Sequence, residues 1–140
     1  MDNRINKIPL EHHGRGNIYS LQYHIVFCTK YRREVLQNGV DFTCKNALMG
    51  LSESMGFSIF AMEVIPDHVH LLIDAKPSFR IPESMRKIKG SLSLTLFSLH
   101  PEIKRKLWGG HLWNPTYCIV TVSERSTRIV ESYIANQKTK

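Results

Sequence analysis

The fold of this chain is decided by one stretch, Met62-Glu63-Val64-Ile65-Pro66-Asp67-His68-Val69-His70-Leu71-Leu72-Ile73. It is rich in residues that favour β-strands, and Pro66-Asp67 is a turn signal in its middle. The stretch therefore predicts a hairpin of two strands that meet at this turn. Side chains on a strand alternate between two faces, so His68 and His70 share one face while Val69 lies on the other.

The hydrophobic pattern on either side of this hairpin predicts further strands and helices. A period of two predicts strands at residues 19–29, 57–65, 68–74 and 116–122, and helical spacing predicts helices at residues 35–55, 82–100 and 126–137. The first helix is expected to bury Phe42, and Gly56 is placed to end it. The order β-α-β-β-α-β is typical of an α+β, ferredoxin-like (RRM-like) core, in which two helices cover one face of an antiparallel sheet. The last helix is additional to that core.

The length of 140 residues is ordinary for one domain, so we assign residues 1–140 to a single domain. Residues 1–17 are polar and contain two glycines and a proline, which predicts an irregular basic arm. No run reaches the roughly 18 apolar residues of a membrane span, and the first residues lack the apolar stretch of a signal peptide. We therefore expect a cytoplasmic protein with no membrane partner. Its three cysteines are expected to be reduced thiols.

The chain is basic, with 19 Lys and Arg against 12 Asp and Glu and a formal charge of +7. This balance favours a polyanionic partner, nucleic acid first and an acidic membrane surface second. The cations are clustered, although the third cluster also has the character of an ordinary solvated face. The clusters are Lys30-Tyr31-Arg32-Arg33, Arg86-Lys87-Ile88-Lys89 and Lys104-Arg105-Lys106. No phosphate-binding run of the G-x-x-x-x-G-K-[ST] type is present, so no nucleotide cofactor is expected.

Two imidazoles on one strand face are part of a metal site that needs a third ligand. The last predicted helix places Tyr133 and Gln137 on one face, because they are four residues apart. A Gln carbonyl oxygen beside two neutral imidazoles suits Mg²⁺ or Mn²⁺ shared with substrate phosphate. A tyrosine beside such an ion is a candidate nucleophile on phosphorus. The plainer alternatives are that His68 and His70 are half-buried polar residues, that Tyr133 is a packing aromatic and that Gln137 is solvated.

Four ordered segments together resemble one known family. They are Tyr23–Arg33, Met62–Leu71, Leu107–Tyr117 and Tyr133–Gln137. In these segments the chain resembles the TnpA-type single-tyrosine transposases of small bacterial insertion sequences, which belong to the HUH (His-hydrophobic-His) nuclease superfamily. The segments span most of the chain from about residue 15 onward.

The resemblance implies a reaction and a set of roles. Tyr133 would attack a phosphodiester of single-stranded DNA at the end of a mobile element, giving a 5′-phosphotyrosine and a free 3′-OH. The catalytic residues would be Tyr133, His68 and His70, and a Mg²⁺ or Mn²⁺ ion would be held by His68, His70 and Gln137. The resemblance also implies a homodimer in which the tyrosine helix of one subunit can complete the site of the other. The linker at residues 123–127 contains no glycine, which argues against a large pivot there.

The resemblance further implies that the DNA partner contains imperfect hairpins. A protein that reads the shape and backbone of a hairpin needs cations and stacking aromatics more than contacts to base edges. Trp108 and Trp113 are candidates for stacking on exposed bases, although packing in a loop core is the expected role of at least one of these two tryptophans. The residues predicted to bind DNA are Arg15, Lys30, Arg32, Arg33, Arg86, Lys87, Lys89 and Trp108.

Three other functions remain open on the residues alone. A ferredoxin-like sheet can bind single-stranded nucleic acid without cutting it, although no RNP1-type stretch is present. A metal-dependent hydrolase would use water in place of Tyr133. A domesticated relative would process palindromes in a host chromosome with the same chemistry.

Overall fold

The computed structural model describes residues 11–137, which form nine helices and strands apart from short 3₁₀ turns. These elements are β1 (His12–Gly14), β2 (Asn17–Tyr19), β3 (Gln22–Cys28), α1 (Val40–Met55), β4 (Ser58–Ile65), β5 (His68–Asp74), α2 (Ile81–Leu99), β6 (Cys118–Thr121) and α3 (Ser126–Asn136). Four strands form an antiparallel sheet of order β4-β5-β3-β6. This arrangement confirms the predicted α+β, ferredoxin-like core and the additional last helix.

One face of the sheet forms the main hydrophobic core with α1 and α2. From the central strands, Ile25, Phe27, Val69, Leu71 and Ile73 are all fully buried there. The helix α2 adds residues spaced three and four apart, namely Met85, Ile88, Leu92 and Leu96. Burying a side chain of this size contributes about 1.5–3 kcal/mol. We call this side the core face.

The opposite side, which we call the histidine face, is formed by alternate residues of β3 and β5. It consists of His24, Val26 and Cys28 of β3, which pair with Leu72, His70 and His68 of β5 in that order. The helix α3 covers part of this face, because its Val130, Tyr133 and Ile134 pack against the neighbouring apolar side chains of β3 and β6. The two helices of the core and the last helix therefore lie on opposite sides of one sheet.

The first helix begins five residues later than predicted. Leu36 is buried outside the helix, where its amide donates to the carbonyl of Pro66 at 2.9 Å. Asn38 and Gly39 then have φ of 57° and 96°, and this left-handed backbone interrupts a helix. The expected burial of Phe42 is wrong, because its side chain is 67 % exposed. The buried stripe of α1 instead follows Val40, Cys44, Leu48 and Ser52 at spacings of four.

Part of the segment predicted to be irregular is a hairpin. β1 and β2 pair in an antiparallel register around the turn that contains Arg15. Nε2 of His12 in this hairpin lies 2.5 Å from Oδ2 of Asp74, which places the hairpin against the end of β5. Residues 1–10 of the predicted arm lie outside the described residues.

The three cysteines, Cys28, Cys44 and Cys118, are buried free thiols within the described chain. Burial raises the pKa of Cys28 to about 11 and that of Cys44 to about 12. It also raises the pKa of Cys118. All three thiols are therefore protonated at neutral pH and act as small apolar core residues. Between residues 11 and 137, no helix combines the length and the apolar character needed to cross a bilayer.

Candidate active site

The orientation of His68 is set by its neighbour Asp67. The Nδ1 atom of His68 lies 2.8 Å from Oδ1 of Asp67. A carboxylate only accepts hydrogen bonds, so Nδ1 is the donor and Nε2 keeps a free lone pair when the ring is neutral. The guanidinium of Arg32 contacts the other carboxylate oxygen through Nε at 2.9 Å and Nη2 at 2.7 Å. Asp67 is therefore held on one side while it orients the imidazole on the other.

His70 carries a buried nitrogen that lacks a partner. Its Nε2 has no hydrogen bond to any part of the chain that the structure describes. Burial, and then the neighbouring His24, lower the pKa of His70 to about 4, so the ring is neutral at pH 7. A buried polar atom without a partner costs free energy. A bound cation would supply the partner that this nitrogen lacks.

The ligand types that His68, His70 and Gln137 offer fit a divalent cation with mixed ligands. No group of three or more His, Cys, Asp or Glu residues that could hold a metal occurs among residues 11–137. Gln137 is buried at the end of α3, and its Oε1 accepts a hydrogen bond from Nδ2 of Asn114 at 3.3 Å. The backbone N–H of Asn114 donates to the carbonyl of Cys28, and Cys28 is the cross-strand partner of His68. Two neutral imidazoles and one amide oxygen suit an ion that also binds substrate oxygens.

Tyr133 lies on the histidine face. It packs in the cluster formed by Val26, Cys28 and Cys118, and Cys28 is the cross-strand partner of His68. Its hydroxyl lies 2.7 Å from Oγ1 of Thr116. Burial raises the pKa of Tyr133, so the phenol is protonated at neutral pH.

The direction of the Tyr133 hydrogen bond follows from the groups around Thr116. Oγ1 of Thr116 lies 3.0 Å from Oδ1 of Asn114, and an amide oxygen only accepts. The single proton of the Thr116 hydroxyl therefore goes to Asn114, and Tyr133 donates to Thr116. Since Asn114 also bonds to Gln137, one loop holds Tyr133 of α3 and the residue that directly follows the helix. No role was predicted for Asn114 or Thr116 from the sequence, although both lie in Leu107–Tyr117, one of the four segments that resemble the family.

Arg32 also contacts the last helix. Its Nη1 donates to the carbonyl of Ile134 at 2.9 Å, close to the end of α3. The backbone that delivers this side chain is strained, because Tyr31 and Arg32 have φ of 55° and 54°. A left-handed conformation costs about 1–3 kcal/mol for a residue other than glycine. Arg32 was predicted to bind DNA, and the contacts of its guanidinium are to Asp67 and Ile134.

A basic groove of about 720 Å³ lies next to the loop that holds Tyr133. Its lining includes Lys30, Arg86, Lys89, Asn114 and Tyr117. The Nζ of Lys89 donates to the carbonyls of Asn114 at 2.8 Å and Thr116 at 3.0 Å. Burial lowers the pKa of Lys89 to about 8. Three of the predicted DNA-binding residues therefore share one groove, and Lys89 contacts the same loop that Tyr133 contacts.

The other predicted DNA-binding residues are placed elsewhere. Lys87 is exposed on α2, Arg15 is exposed in the β1–β2 turn, and Arg33 lines a second, smaller pocket with two cations of the third basic cluster. The backbone of Trp108 begins the 3₁₀ turn Trp108–Gly110. Trp113 is a core residue, because its ring packs edge-on against Phe27 at 4.8 Å and its Nε1 donates to the carbonyl of Lys89 at 3.0 Å.

Comparison with known proteins identifies the family of this chain. The family model described as "Transposase IS200 like" matches residues 17–137. The chain is 44 % identical over 134 residues to the ISDra2 transposase TnpA of Deinococcus radiodurans, covering 95 % of this chain and 96 % of that protein. It is 29 % identical over 119 residues to the transposase for insertion sequence element IS200 of Salmonella typhimurium, covering 85 % of this chain and 78 % of that protein.

Solved structures show the same fold. A crystal structure of a Deinococcus radiodurans protein assigned as a transposase has a TM-score of 0.86 and 41 % identity, over 92 % of this chain and 99 % of that one. A REP-associated tyrosine transposase bound to a REP hairpin has a TM-score of 0.56 and 16 % identity, over 88 % and 67 % of the two chains. Fold, site and relatives together define a transposase. The chain belongs to the IS200-like transposase family, which confirms the resemblance found in its sequence.

Proposed function

We propose that this transposase cleaves and rejoins single-stranded DNA through a covalent bond between Tyr133 and a 5′-phosphate, with the help of a divalent cation. The observation that supports it most is that α3 holds Tyr133 on the sheet face that carries His68 and His70. Gln137, which directly follows this helix, is bonded to the same loop as Tyr133. The membership in a transposase family supports DNA as the substrate.

In the cleavage step, Oη of Tyr133 forms a bond to phosphorus and the bond from phosphorus to the 3′-oxygen breaks. The phenol proton must leave during the attack, because burial keeps the pKa of Tyr133 above its usual value. The departing 3′-oxygen takes up a proton and becomes a free 3′-OH. Mg²⁺ or Mn²⁺ held by His68, His70 and Gln137 would withdraw charge from the phosphate.

In the joining step, the 3′-OH of a second DNA end attacks the phosphotyrosine. The bond to Tyr133 breaks, and the phenol recovers a proton. One phosphoester replaces another of similar energy, so the cycle needs no nucleotide cofactor. This exchange distinguishes a strand transferase from a hydrolase, in which water would be the attacking group.

The proposed substrate is DNA with imperfect hairpins. The groove lined by Lys30, Arg86 and Lys89 adjoins the loop that holds Tyr133, so DNA bound there would pass close to the nucleophile. A relative of the same fold was solved with a hairpin bound. Arg15, Arg33 and Lys87 would contact the backbone outside the groove.

We also propose that the protein acts as a homodimer, as the family resemblance implies, and that it does so in the cytoplasm. In the described chain α3 docks on its own sheet. In the proposed dimer, each subunit would therefore combine its own Tyr133 and Gln137 with its own pair of histidines. A dimer of this form would contain two complete sites, and an exchange of α3 between subunits would keep the same set of residues in each site.

The test is a covalent-adduct assay with a hairpin oligonucleotide that carries its label at the 3′ end, so that the adduct keeps the label. With Mg²⁺ or Mn²⁺, the wild-type protein is expected to give a labelled protein–DNA band, and chelation of the metal should remove it. Tyr133→Phe should give no band and should still bind the hairpin. Tyr117→Phe is the matched control, because Tyr117 lines the groove and its loss of a hydroxyl should leave the band in place.

Each alternative has its own outcome in this assay. Cleaved DNA without an adduct, with activity kept in Tyr133→Phe, would support a hydrolase that uses water. Hairpin binding by the wild type with no cleavage in either metal would support a binding module. An adduct that survives in Tyr133→Phe would show that another residue is the nucleophile.

A further inference from the structure

Arg32 joins two parts of the candidate site that are far apart in sequence. Its guanidinium contacts the carboxylate of Asp67 through Nε and Nη2, and the carbonyl of Ile134 through Nη1. Asp67 in turn accepts the hydrogen bond of His68, which makes a continuous chain of contacts from the histidine strand to the tyrosine helix. The side chain is largely buried, with 16 % of it exposed.

Arg32 contacts α3 at its C-terminal end, where the backbone carbonyls need hydrogen-bond donors. The last carbonyls of a helix have no partner within it, and the C-terminal end carries partial negative charge that favours a cation. The carbonyl of Ile134 accepts from the amide of Gln137 at 3.2 Å and from Arg32 at 2.9 Å. Arg32 therefore binds the last turn of α3, which bears Tyr133 and is directly followed by Gln137.

The strained backbone at Tyr31 and Arg32 indicates that the placement of the Arg32 side chain is important. Tyr31 and Arg32 both have left-handed backbone. Burial of Tyr31 does not explain the strain, because that ring is 50 % exposed. Thr29 holds the turn, since its carbonyl accepts from the amide of Arg32 and its hydroxyl donates to the carbonyl of Arg33 at 2.7 Å. The group that gains contacts from this geometry is the guanidinium of Arg32.

We propose that Arg32 is a positioning residue for the reaction. It fixes the Asp67 carboxylate that orients His68, and it holds the end of α3 on the histidine face, so that docking of the helix and orientation of the imidazole are coupled. This inference rests on the proposed function. It gives Arg32 a task other than the DNA contact predicted from the basic cluster, and the two tasks have separable consequences.

The experiment compares Arg32→Lys with Arg33→Gln, its exposed neighbour in sequence. Lysine keeps the charge, but a single ammonium on a flexible chain cannot make the three contacts of the planar guanidinium. We expect Arg32→Lys to lower the affinity for Mn²⁺ alone by about tenfold or more, because removing the support of a ligand typically costs that much. Amide hydrogen exchange in α3 should become faster by about tenfold, and single-turnover adduct formation should slow in parallel. Hairpin affinity should stay within about twofold, since the charge is kept.

Arg33→Gln should show the reverse pattern, with weaker hairpin binding and unchanged Mn²⁺ affinity and α3 exchange. Asp67→Asn provides a second route, because it keeps the size of the side chain and weakens both ends of the contact chain. It should reproduce the effects of Arg32→Lys, and the double variant should be little worse than either single one.

Wild-type α3 exchange and Mn²⁺ affinity in Arg32→Lys would overturn the inference. Loss of hairpin affinity without those two changes would make Arg32 a DNA contact. Both measurements are made without DNA, so they are independent of the adduct assay that tests the proposed function. If the wild type fails to bind Mn²⁺, the metal part of that function fails, and unchanged α3 exchange alone then overturns the positioning role.

Discussion

Leu71 and His70 are adjacent residues of β5, yet they belong to two very different faces of one sheet. Leu71 is fully buried in the core face, where α1 and α2 cover the apolar side chains. The histidine face holds the buried nitrogens Nε2 of His70 and Nδ1 of His24, which have no hydrogen-bond partner among the described residues. Such atoms are costly for folding. The core face therefore serves stability, and the histidine face keeps groups whose partners are expected in the substrate complex.

The largest effect expected from this contrast is that of His70→Ala on the chemistry. Metal stabilisation of a phosphoryl transition state amounts to several kcal/mol, so adduct formation should fall by about a thousandfold or more. Hairpin affinity should change by less than about twofold, because the cations of the groove are untouched. The free energy of unfolding should fall by less than in a buried Leu→Ala change, because removing Nε2, which made no hydrogen bond, offsets part of the cost of the cavity. Single-turnover adduct assays and urea denaturation measure these quantities.

Leu71→Ala is the matched control from the neighbouring position. A buried Leu→Ala change in a core costs about 2–5 kcal/mol of the free energy of unfolding. The folded fraction should form the adduct within about threefold of the wild-type rate, since nothing on the histidine face changes. The contrast between the faces fails if His70→Ala unfolds the protein or if folded Leu71→Ala is inactive.

A smaller effect is expected at the loop that holds the tyrosine. Thr116→Val keeps the shape of the side chain and removes its hydroxyl, which accepts from Tyr133 and donates to Asn114. The loss of the hydrogen bond from Tyr133, worth about 1–1.5 kcal/mol, should slow adduct formation by about tenfold. Thr116→Ser restores the hydroxyl and should recover most of the rate. A Thr116→Val protein that reacts at the wild-type rate would show that this bond is absent from the reacting complex.

Local patterns in the sequence predicted the features that depend on residues close together in the chain. A period of two placed His68 and His70 on one face of β5. A spacing of four predicted that Tyr133 and Gln137 share one side of the last helix, and the structure ends that helix at Asn136, one residue before Gln137. The missed features depend on residues that are distant in sequence. The bond from Arg32 to Ile134 joins positions 102 residues apart, and that from Asn114 to Gln137 joins positions 23 apart.

The late start of α1 was also missed because it depends on a contact between residues that are distant in sequence. Residues 35–55 carry apolar residues at helical spacing, but the contact of Leu36 with Pro66 extends the chain before the helix begins. The helical spacing of the apolar residues predicts that Phe42 is buried, whereas the smaller Cys44 and Ser52 occupy the buried stripe. Hydrophobicity alone does not decide which side of a helix meets the sheet. The packing partner decides it, and that partner is absent from any local window.

The smallest predicted effect is a pH dependence of hairpin binding in the groove beside the histidine face. Burial lowers the pKa of Lys89 to about 8 in the free protein, and a bound phosphate would stabilise the ammonium and raise that pKa. Above pH 8 the protein must then take up a proton on binding, so affinity for the hairpin should fall as the pH rises. A rise of half a pKa unit corresponds to a loss of about threefold between roughly pH 7 and 9.5.

Lys89→Arg is the control for this pH dependence. A guanidinium stays protonated across the whole range, so the affinity of this variant should be nearly independent of pH, whatever its absolute value. Fluorescence anisotropy with a labelled hairpin at constant ionic strength measures both profiles. Equal slopes for the wild type and Lys89→Arg would mean that DNA does not approach Lys89. In that case the ammonium would serve only to hold the carbonyls of Asn114 and Thr116, and the groove would be part of the support for Tyr133 rather than part of the DNA path.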